Sequence, residues 1–329
     1  MSSRKTTELA LALHGFFHDY LPKLKGMSIH TIHSYRDSLK LLLTFLGEGR
    51  RSLLKLSFAD IDANRIIAFL EHLETGRHNS PGTRNIRLAA IHCFFRYVAS
   101  SFPQCFLLAQ QILGVPFKRA KTREIEYLEF DEINAVLDKI DTSTKDGRRD
   151  YALLVLMFNT GGRVQEIVDL KANDLRLSPP CAVRLFGKGR KERTCPIWAK
   201  TAQVLSKYLE ERIIDPRAPQ AIFTNHMGTP LTRFGVRYIL AKYTKMAAEK
   251  NSKLRSKRLH PHSVRHSTAV YLLKSGVDLS TIASWLGHVS PDTTSKYATI
   301  DMDMKRQAIA KAKPVSDKKI SRVTNWRLE

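Results

Sequence analysis

The chain has 329 residues, 43% of them hydrophobic, with 54 lysines and arginines against 31 acidic residues. That length predicts two domains at roughly 150 residues each, and each half is long enough to bury a core of its own. A net charge of +23 and a pI near 10.0 point to a polyanionic partner, nucleic acid rather than an anionic membrane, since no basic amphipathic helix carries an aromatic anchor.

The first residues, M-S-S-R-K-T-T-E, lack a hydrophobic targeting core, which predicts a cytoplasmic protein. Residues 1 to about 112 show four helical patterns and no strand pattern. Leu9, Leu13, Phe16, Phe17, Tyr20 and Leu24 recur at helical spacing, as do Ile32, Tyr35, Leu39, Leu42, Leu43 and Leu46. Gly47 and Gly49 end the second helix. A third runs from about Ala59 to Glu74, with Ile66, Ile67, Leu70 and Leu73 inward and Gly76 as its stop. The fourth opens with Ser80 as cap and Pro81 in the first turn, and it buries Leu88, Ile91, Phe94, Phe95 and Val98. Its polar side is expected to carry Arg84 and Arg87, either as a solvated charged face or as phosphate contacts.

Gly114 and Pro116 interrupt this pattern, and Lys118, Arg119, Lys121 and Arg123 follow. The stretch 113–126 reads as a basic interdomain linker, either crossing a DNA backbone or simply solvated. A second domain is expected over 127–312. Phe130-Asp131-Glu132 opens a helix reaching Ile140. Arg149 to Asn159 is a nearly all-apolar helix, and its run Tyr151–Phe158 falls far short of the ~20 residues a membrane span needs. Thr160-Gly161-Gly162 turns the chain and leaves Arg163 at a junction between two helices. A buried guanidinium there needs a partner or an anion, and Glu166, one turn on, can orient it. Ala182–Phe186 and Glu192–Ile197 form a strand pair around Gly187-Lys188-Gly189-Arg190-Lys191, with Lys188 on or beside the tip. The nucleotide loop G-x-x-x-x-G-K-[ST] is absent. Helices follow at about 200–213 and 232–249, then a basic loop over 251–258. The segment 313–329 is polar and reads as a mobile tail or arm. Cys93, Cys105, Cys181 and Cys195 form no C-x-x-C, which predicts reduced thiols.

The stretch His260–Thr299 brings together groups that phosphoryl chemistry needs. His262 and Arg265 are three apart and share one face if a helix starts there. His288 follows a glycine at an expected helix end. Tyr297 lies nine residues later, in a short helix announced by Ser290 and Pro291. A tyrosine hydroxyl can attack a phosphate when cations stabilise the charge that develops, and Arg163 and Lys188 supply further cations upstream. His260, His262 and His266 invite a metal reading, but no H-E-x-x-H is present, and no cysteine or carboxylate stands at ligand spacing. Arg265 between the last two suits an anion instead. Taken singly these residues are ordinary: a lone helical tyrosine is generally packing, a lone histidine a cap or core group. Trp285 is expected in the core.

Together, H-x-x-R at 262–265, L-G-H at 286–288 and a tyrosine nine residues on resemble the signature of the tyrosine recombinases, the phage-integrase or Xer-like family. T-G-G-R-V-Q-E-I at 160–167 resembles that family's first arginine box, and G-K-G at 187–189 its hairpin lysine. The four boxes stand in order over about half the chain. The resemblance implies a mainly α fold with a small β hairpin, in two domains. A helical core-binding domain and a mixed α/β catalytic domain would form a clamp around duplex DNA. It implies that Tyr297 attacks the scissile phosphate and leaves a 3′-phosphotyrosyl link, with strands exchanged through a Holliday junction. Arg163 and Arg265 would hold the non-bridging oxygens, His262 would be the general base and Lys188 the general acid. His288 would donate to a phosphate oxygen and help to position Tyr297. Neither metal nor nucleotide cofactor is implied.

Implied partners are double-stranded DNA and a homotetramer on two sites, with C-terminal segments exchanged between protomers. Arg84, Arg87, Lys118, Arg119, Lys121, Arg123, Arg190, Lys191, Lys257 and Arg258 become candidate backbone contacts, a positioning role rather than base reading. Gly162 stands where the family usually has leucine, which predicts looser packing under Arg163. No additional N-terminal arm-binding domain is expected. Two other readings remain open. One is a type IB topoisomerase-like enzyme, disfavoured by the compact two-domain layout; the other is an inactive DNA-binding relative, opposed by the six filled catalytic positions.

Overall fold

Thr7, Ser28, Asp62 and Ser80 each accept a hydrogen bond from a backbone N–H two or three residues into a helix, and so set four helix starts. Each such cap contributes about 1 kcal/mol. In the computed structural model, residues 7–48, 55–120, 125–187, 191–257, 259–287 and Tyr297 are described. The chain divides into two compact units, Met1–Arg123 and Glu124–Glu329.

In the first unit the helices are α1 (Glu8–Gly15), α2 (Ile29–Leu46), α3 (Ala63–Thr75), α4 (Pro81–Ser101) and α5 (Phe106–Leu113). α1 continues in wider π-helical turns over Phe16–Leu24, with Pro22 inside them. The fifth helix departs from the expected four. Pro103 prevents α4 from running on, a 3₁₀ turn spans Pro103–Cys105, and α5 then folds back onto α4. Phe16, Leu39, Leu42, Leu70, Leu88, Ile91, Phe94, Phe95 and Ile112 fill the core, each at most 2% exposed. Burying one such side chain is worth about 1.5–3 kcal/mol.

The second unit holds α6 (Phe130–Leu137), α7 (Lys145–Thr160), α8 (Val164–Val168), β1 (Leu175–Arg176), β2 (Ala182–Phe186) and β3 (Glu192–Pro196). It continues with α9 (Ala199–Glu211), α10 (Arg233–Ala248), α11 (Ser252–Arg255), α12 (Pro261–Lys274) and α13 (Leu279–Leu286). The strands form an antiparallel sheet in the order β1-β2-β3, with Ala182 opposite Pro196 and Phe186 opposite Glu192. The 251–258 stretch, expected as a loop, contains the short helix α11, because Asn251 accepts from the Lys253 N–H and caps it. α7 is the central element: Leu153, Leu154, Leu156 and Met157 are fully buried, and α6, α8, α9 and α12 pack around it. No described helix is long and apolar enough to cross a membrane. All four cysteines are free, and burial pushes the Cys195 thiol up to about 12.

Candidate active site

α7 ends at Gly161, which turns left-handed at φ 57° and donates its N–H to the Met157 carbonyl. Any side chain here would be strained, and a Cβ would also lie 2.6 Å from Leu286 Cδ2. The turn delivers Arg163 to the cap of α8. Its backbone N–H donates to Glu166 Oε2 at 2.9 Å and its Nη1 to Oε1 at 2.8 Å. Glu166 therefore orients Arg163, as the one-turn spacing predicts. Gly162 is buried and leaves no slack: a Cβ would meet Ile167 Cδ1 at 2.8 Å. The expected looseness is absent because Ile167 fills the space.

Arg265, 2% exposed, projects from α12 toward the same corner. Its Nη1 donates to the Gly161 carbonyl at 2.9 Å and its Nη2 to the Leu286 carbonyl at 2.6 Å. Arg163 Nη2 donates to the Gly287 carbonyl at 3.2 Å. Arg193, on β3, supplies a third guanidinium. Its Nη1 and Nη2 grip Glu166 at 3.1 and 2.7 Å, and its Nε donates to the Trp285 carbonyl at 3.0 Å. Three consecutive carbonyls at the end of α13 thus each receive one arginine. Helix C-termini present orphan carbonyls and the negative end of the macrodipole, so this terminus gathers cations. Gly287 ends the helix left-handed at φ 66°, and a Cβ there would stand 3.0 Å from Arg193 Cδ.

The electrostatics of this corner are unbalanced. Arg163 and Arg193 share one carboxylate, Glu166, while Arg265 beside them is bonded to carbonyls, so among the described residues three guanidinia stand with one paired carboxylate. Burial, then Arg163 and Arg193, pull Arg265 down to about 10, so it stays charged at neutral pH. Burial pushes the Glu166 carboxyl up, but hydrogen bonds from Arg193 and Arg163 outweigh it and hold the group below the usual carboxylate range.

His260 caps α12 through Nδ1, which accepts from the Ser263 N–H at 3.2 Å. His262 is exposed on the first turn, and desolvation followed by Arg265, His260 and Arg163 lowers its pKa, which favours neutral imidazole. His266 lies one helical turn further, its ring centroid 5.1 Å from that of His262. Its Nδ1 lies 2.6 Å from the hydroxyl oxygen of Tyr297. Tyr297 is 1% exposed and packs with Ala269, Val270, Leu273, Ile282 and Leu286. Burial pushes its phenol up to about 12, opposed by Arg265.

Arg163 and Arg265 therefore meet at the end of α13, with Tyr297 near enough to Arg265 to feel its charge and His262 on the first turn of α12. Lys188 and His288 lie outside the described residues, as do Lys121, Arg123, Arg190 and Arg258. Gly187, just before Lys188, abuts the ion pair: a Cβ there would lie 3.2 Å from Glu166 Oε1. The sequence reasoning gave Arg193 and His266 no role. A signal existed for Arg193, since strand alternation puts it on the face of buried Cys195. For His266 the signal was its place one turn after His262.

Several candidate DNA contacts have other commitments. Arg84, expected on the polar side of α4, is 9% exposed and donates to the Pro116 carbonyl at 3.1 Å and to Asn85 Oδ1 at 3.1 Å. The solvated-face expectation fails there because the chain after α5 folds back over that side of α4. Arg87 is half-buried and donates to Ser38 Oγ at 3.0 Å. Lys118 pairs with Glu74 at 2.9 Å, and Lys257 with buried Glu132 at 2.5 Å and the Tyr127 carbonyl at 2.9 Å. Arg119 and Lys191 are exposed. Trp285 is half-buried against two core clusters, with its indole nitrogen buried and lacking an acceptor.

Comparison with known proteins matches residues 126–304 to the phage integrase family and residues 15–101 to the phage integrase N-terminal SAM-like domain. The chain is 40% identical over 316 residues to the putative integrase/recombinase y4rC of Sinorhizobium fredii, covering 95% of this chain and 94% of that protein. It is 30% identical over 297 residues to the tyrosine recombinase XerC of Staphylococcus epidermidis, covering 89% and 94%. In fold it resembles the XerH site-specific recombinase bound to palindromic difH substrate, with a TM-score of 0.68 and 22% identity over 87% of this chain and 81% of that one. The class so defined is that of enzymes that break and rejoin DNA at specific sites through a tyrosine. The chain belongs to the phage integrase family.

Proposed function

We propose that this recombinase cleaves duplex DNA with Tyr297 as nucleophile and that Arg163 and Arg265 hold the non-bridging oxygens of the scissile phosphate. The observation that carries this reading is the surplus of guanidinium over carboxylate among the described residues, where Arg163 and Arg193 share Glu166 and Arg265, bonded only to carbonyls, lies beside Tyr297. Uncompensated charge away from water is costly, and a phosphodiester anion brings one negative charge to offset it. Planar guanidinium forks match two phosphate oxygens. Each fork also spends two of its donors on protein acceptors, so both arrive oriented, and such pre-placed donors stabilise charge as it develops.

Tyr297 O attacks phosphorus as the bond to the leaving 5′ oxygen breaks, and a 3′-phosphotyrosyl link results. Lys188 is the assigned donor of a proton to the leaving oxygen, and His288 the assigned donor to a phosphate oxygen. His262 is held neutral and stands ready to donate or accept at the phosphate. Arg119 and Lys191, both exposed, are the described candidates that can reach a DNA backbone without giving up an internal partner. A second copy on each site, and four on two sites, would permit reciprocal exchange of strands. The lambda integrase, similar in fold, has been seen as a tetramer on a Holliday junction, which supports this assembly.

The test uses nicked suicide duplexes tiled across the DNA flanking the gene, with Tyr297→Phe as control. A protein–DNA adduct stable to denaturing electrophoresis, absent with the variant, is expected. Binding of the duplexes with no adduct would reduce Tyr297 to a packing residue and favour an inactive DNA-binding relative.

A further inference from the structure

We propose that His266 is the group that takes the proton from Tyr297 during cleavage and returns it on rejoining, an inference that rests on the assignment of Tyr297 as nucleophile. Its Nδ1 is 2.6 Å from the phenol oxygen, within direct proton-transfer range. The rings are 5.6 Å apart at 60°, so a hydrogen bond rather than stacking joins them.

The helix explains why this histidine, and not the one in the H-x-x-R box, reaches the tyrosine. Successive α12 residues diverge by about 100°. Arg265 enters the guanidinium corner, and His266 turns toward the cluster in which Tyr297 packs. His262 shares the stripe of His266 but sits one turn nearer the helix start, on its exposed end. That end is suited to the DNA side of the site, the His266 end to the nucleophile. The phenol needs such a partner, because burial holds its pKa at about 12. At neutral pH it attacks only if the proton leaves as the O–P bond forms.

The balance is complete. Tyr297 Oη forms a bond to phosphorus, its proton passes to His266 Nδ1, and the P–O5′ bond breaks with its electron pair on the leaving oxygen. That oxygen takes a proton from the general acid assigned to Lys188. On rejoining, the 5′ hydroxyl attacks phosphorus and its proton goes to the group assigned to Lys188, the P–O bond to Tyr297 breaks, and the imidazolium gives its proton back to the phenol. Before attack the ring must carry its proton on Nε2, so that Nδ1 accepts from the phenol.

The experiment measures single-turnover adduct formation on the suicide duplex. It compares wild type, His266→Asn, His266→Phe and Tyr297→Phe, with duplex binding followed in parallel. Asparagine keeps the size and an acceptor near the Nδ1 position but takes up no proton. Both His266 variants are expected to bind the duplex and to form adduct roughly 100-fold more slowly, or less, as general-base loss does. Replacing Tyr297 with a more acidic fluorotyrosine in the His266→Asn protein is expected to recover part of that loss. Wild-type rates in His266→Asn would leave only a hydrogen-bonding role and overturn the proposal. Loss of duplex binding together with adduct would assign His266 to structure and overturn it equally, as would the absence of any fluorotyrosine recovery. No adduct from the wild-type protein would instead remove the nucleophile assignment, and this role with it.

Discussion

Arg265 donates through Nη2 to the carbonyl of Leu286, 2.6 Å away and 21 residues on in the chain. This bond ties the H-x-x-R box on α12 to the L-G-H box at the end of α13. Its partner bond to Gly161 ties both to the first arginine box. One buried side chain thus fixes the relative positions of three sequence motifs.

Arg265→Lys keeps the charge but loses the planar fork that spans two carbonyls. Adduct formation is expected to fall about 100-fold or more, and stability by about 1–2 kcal/mol as a buried carbonyl loses its donor. Single-turnover cleavage and urea unfolding check the two effects separately.

Gly161→Ala adds a Cβ at a left-handed residue and drives it to 2.6 Å from Leu286 Cδ2. The expected outcome is a loss of about 2 kcal/mol or more. Cleavage should fall as well, since the displaced Gly161 carbonyl is a partner of Arg265. A thermal melt within error of wild type would show that α13 moves aside freely.

Glu166→Gln leaves two guanidinia without their shared carboxylate. Breaking such a buried pair costs about 3 kcal/mol at neutral pH. The pH dependence has a definite sign. The folded-state pKa of Glu166 lies below its unfolded value of ~4.3, so its contribution is complete above that unfolded value. It is lost as pH falls through the folded pKa. The difference in unfolding free energy between wild type and Glu166→Gln should therefore hold from pH 7 to about 5 and shrink in more acid solution. Urea denaturation across that range measures it.

Lys257→Ala removes the cation paired with Glu132, which is 1% exposed, whose Oε1 lacks a partner and whose Oε2 would keep the Glu129 N–H. Destabilisation of about 3 kcal/mol is expected, with most of it recovered in the double variant Lys257→Ala/Glu132→Gln. If Lys257 instead spends its charge on DNA, the single variant would melt normally and show a shallower dependence of duplex affinity on salt. Melting curves and binding across a salt series separate the two.

The sequence by itself determined the family, most of the helices and the cap of α4. Apolar residues at 3.6 spacing, Ser80-Pro81 and Thr160-Gly161-Gly162 are local signals, and local backbone chemistry answers to them directly. The Arg163–Glu166 pair was legible for the same reason, being one turn of a single helix. Partners far apart in the chain were not. Arg193 meets Glu166 from a strand 27 residues on, and His266 meets Tyr297 across 31 residues. Arg84 is turned inward by a chain segment that returns 32 residues later. Charge and spacing place a residue on a face of its own element, whereas the packing of other elements on that face decides whether it meets solvent, a carbonyl or a phosphate.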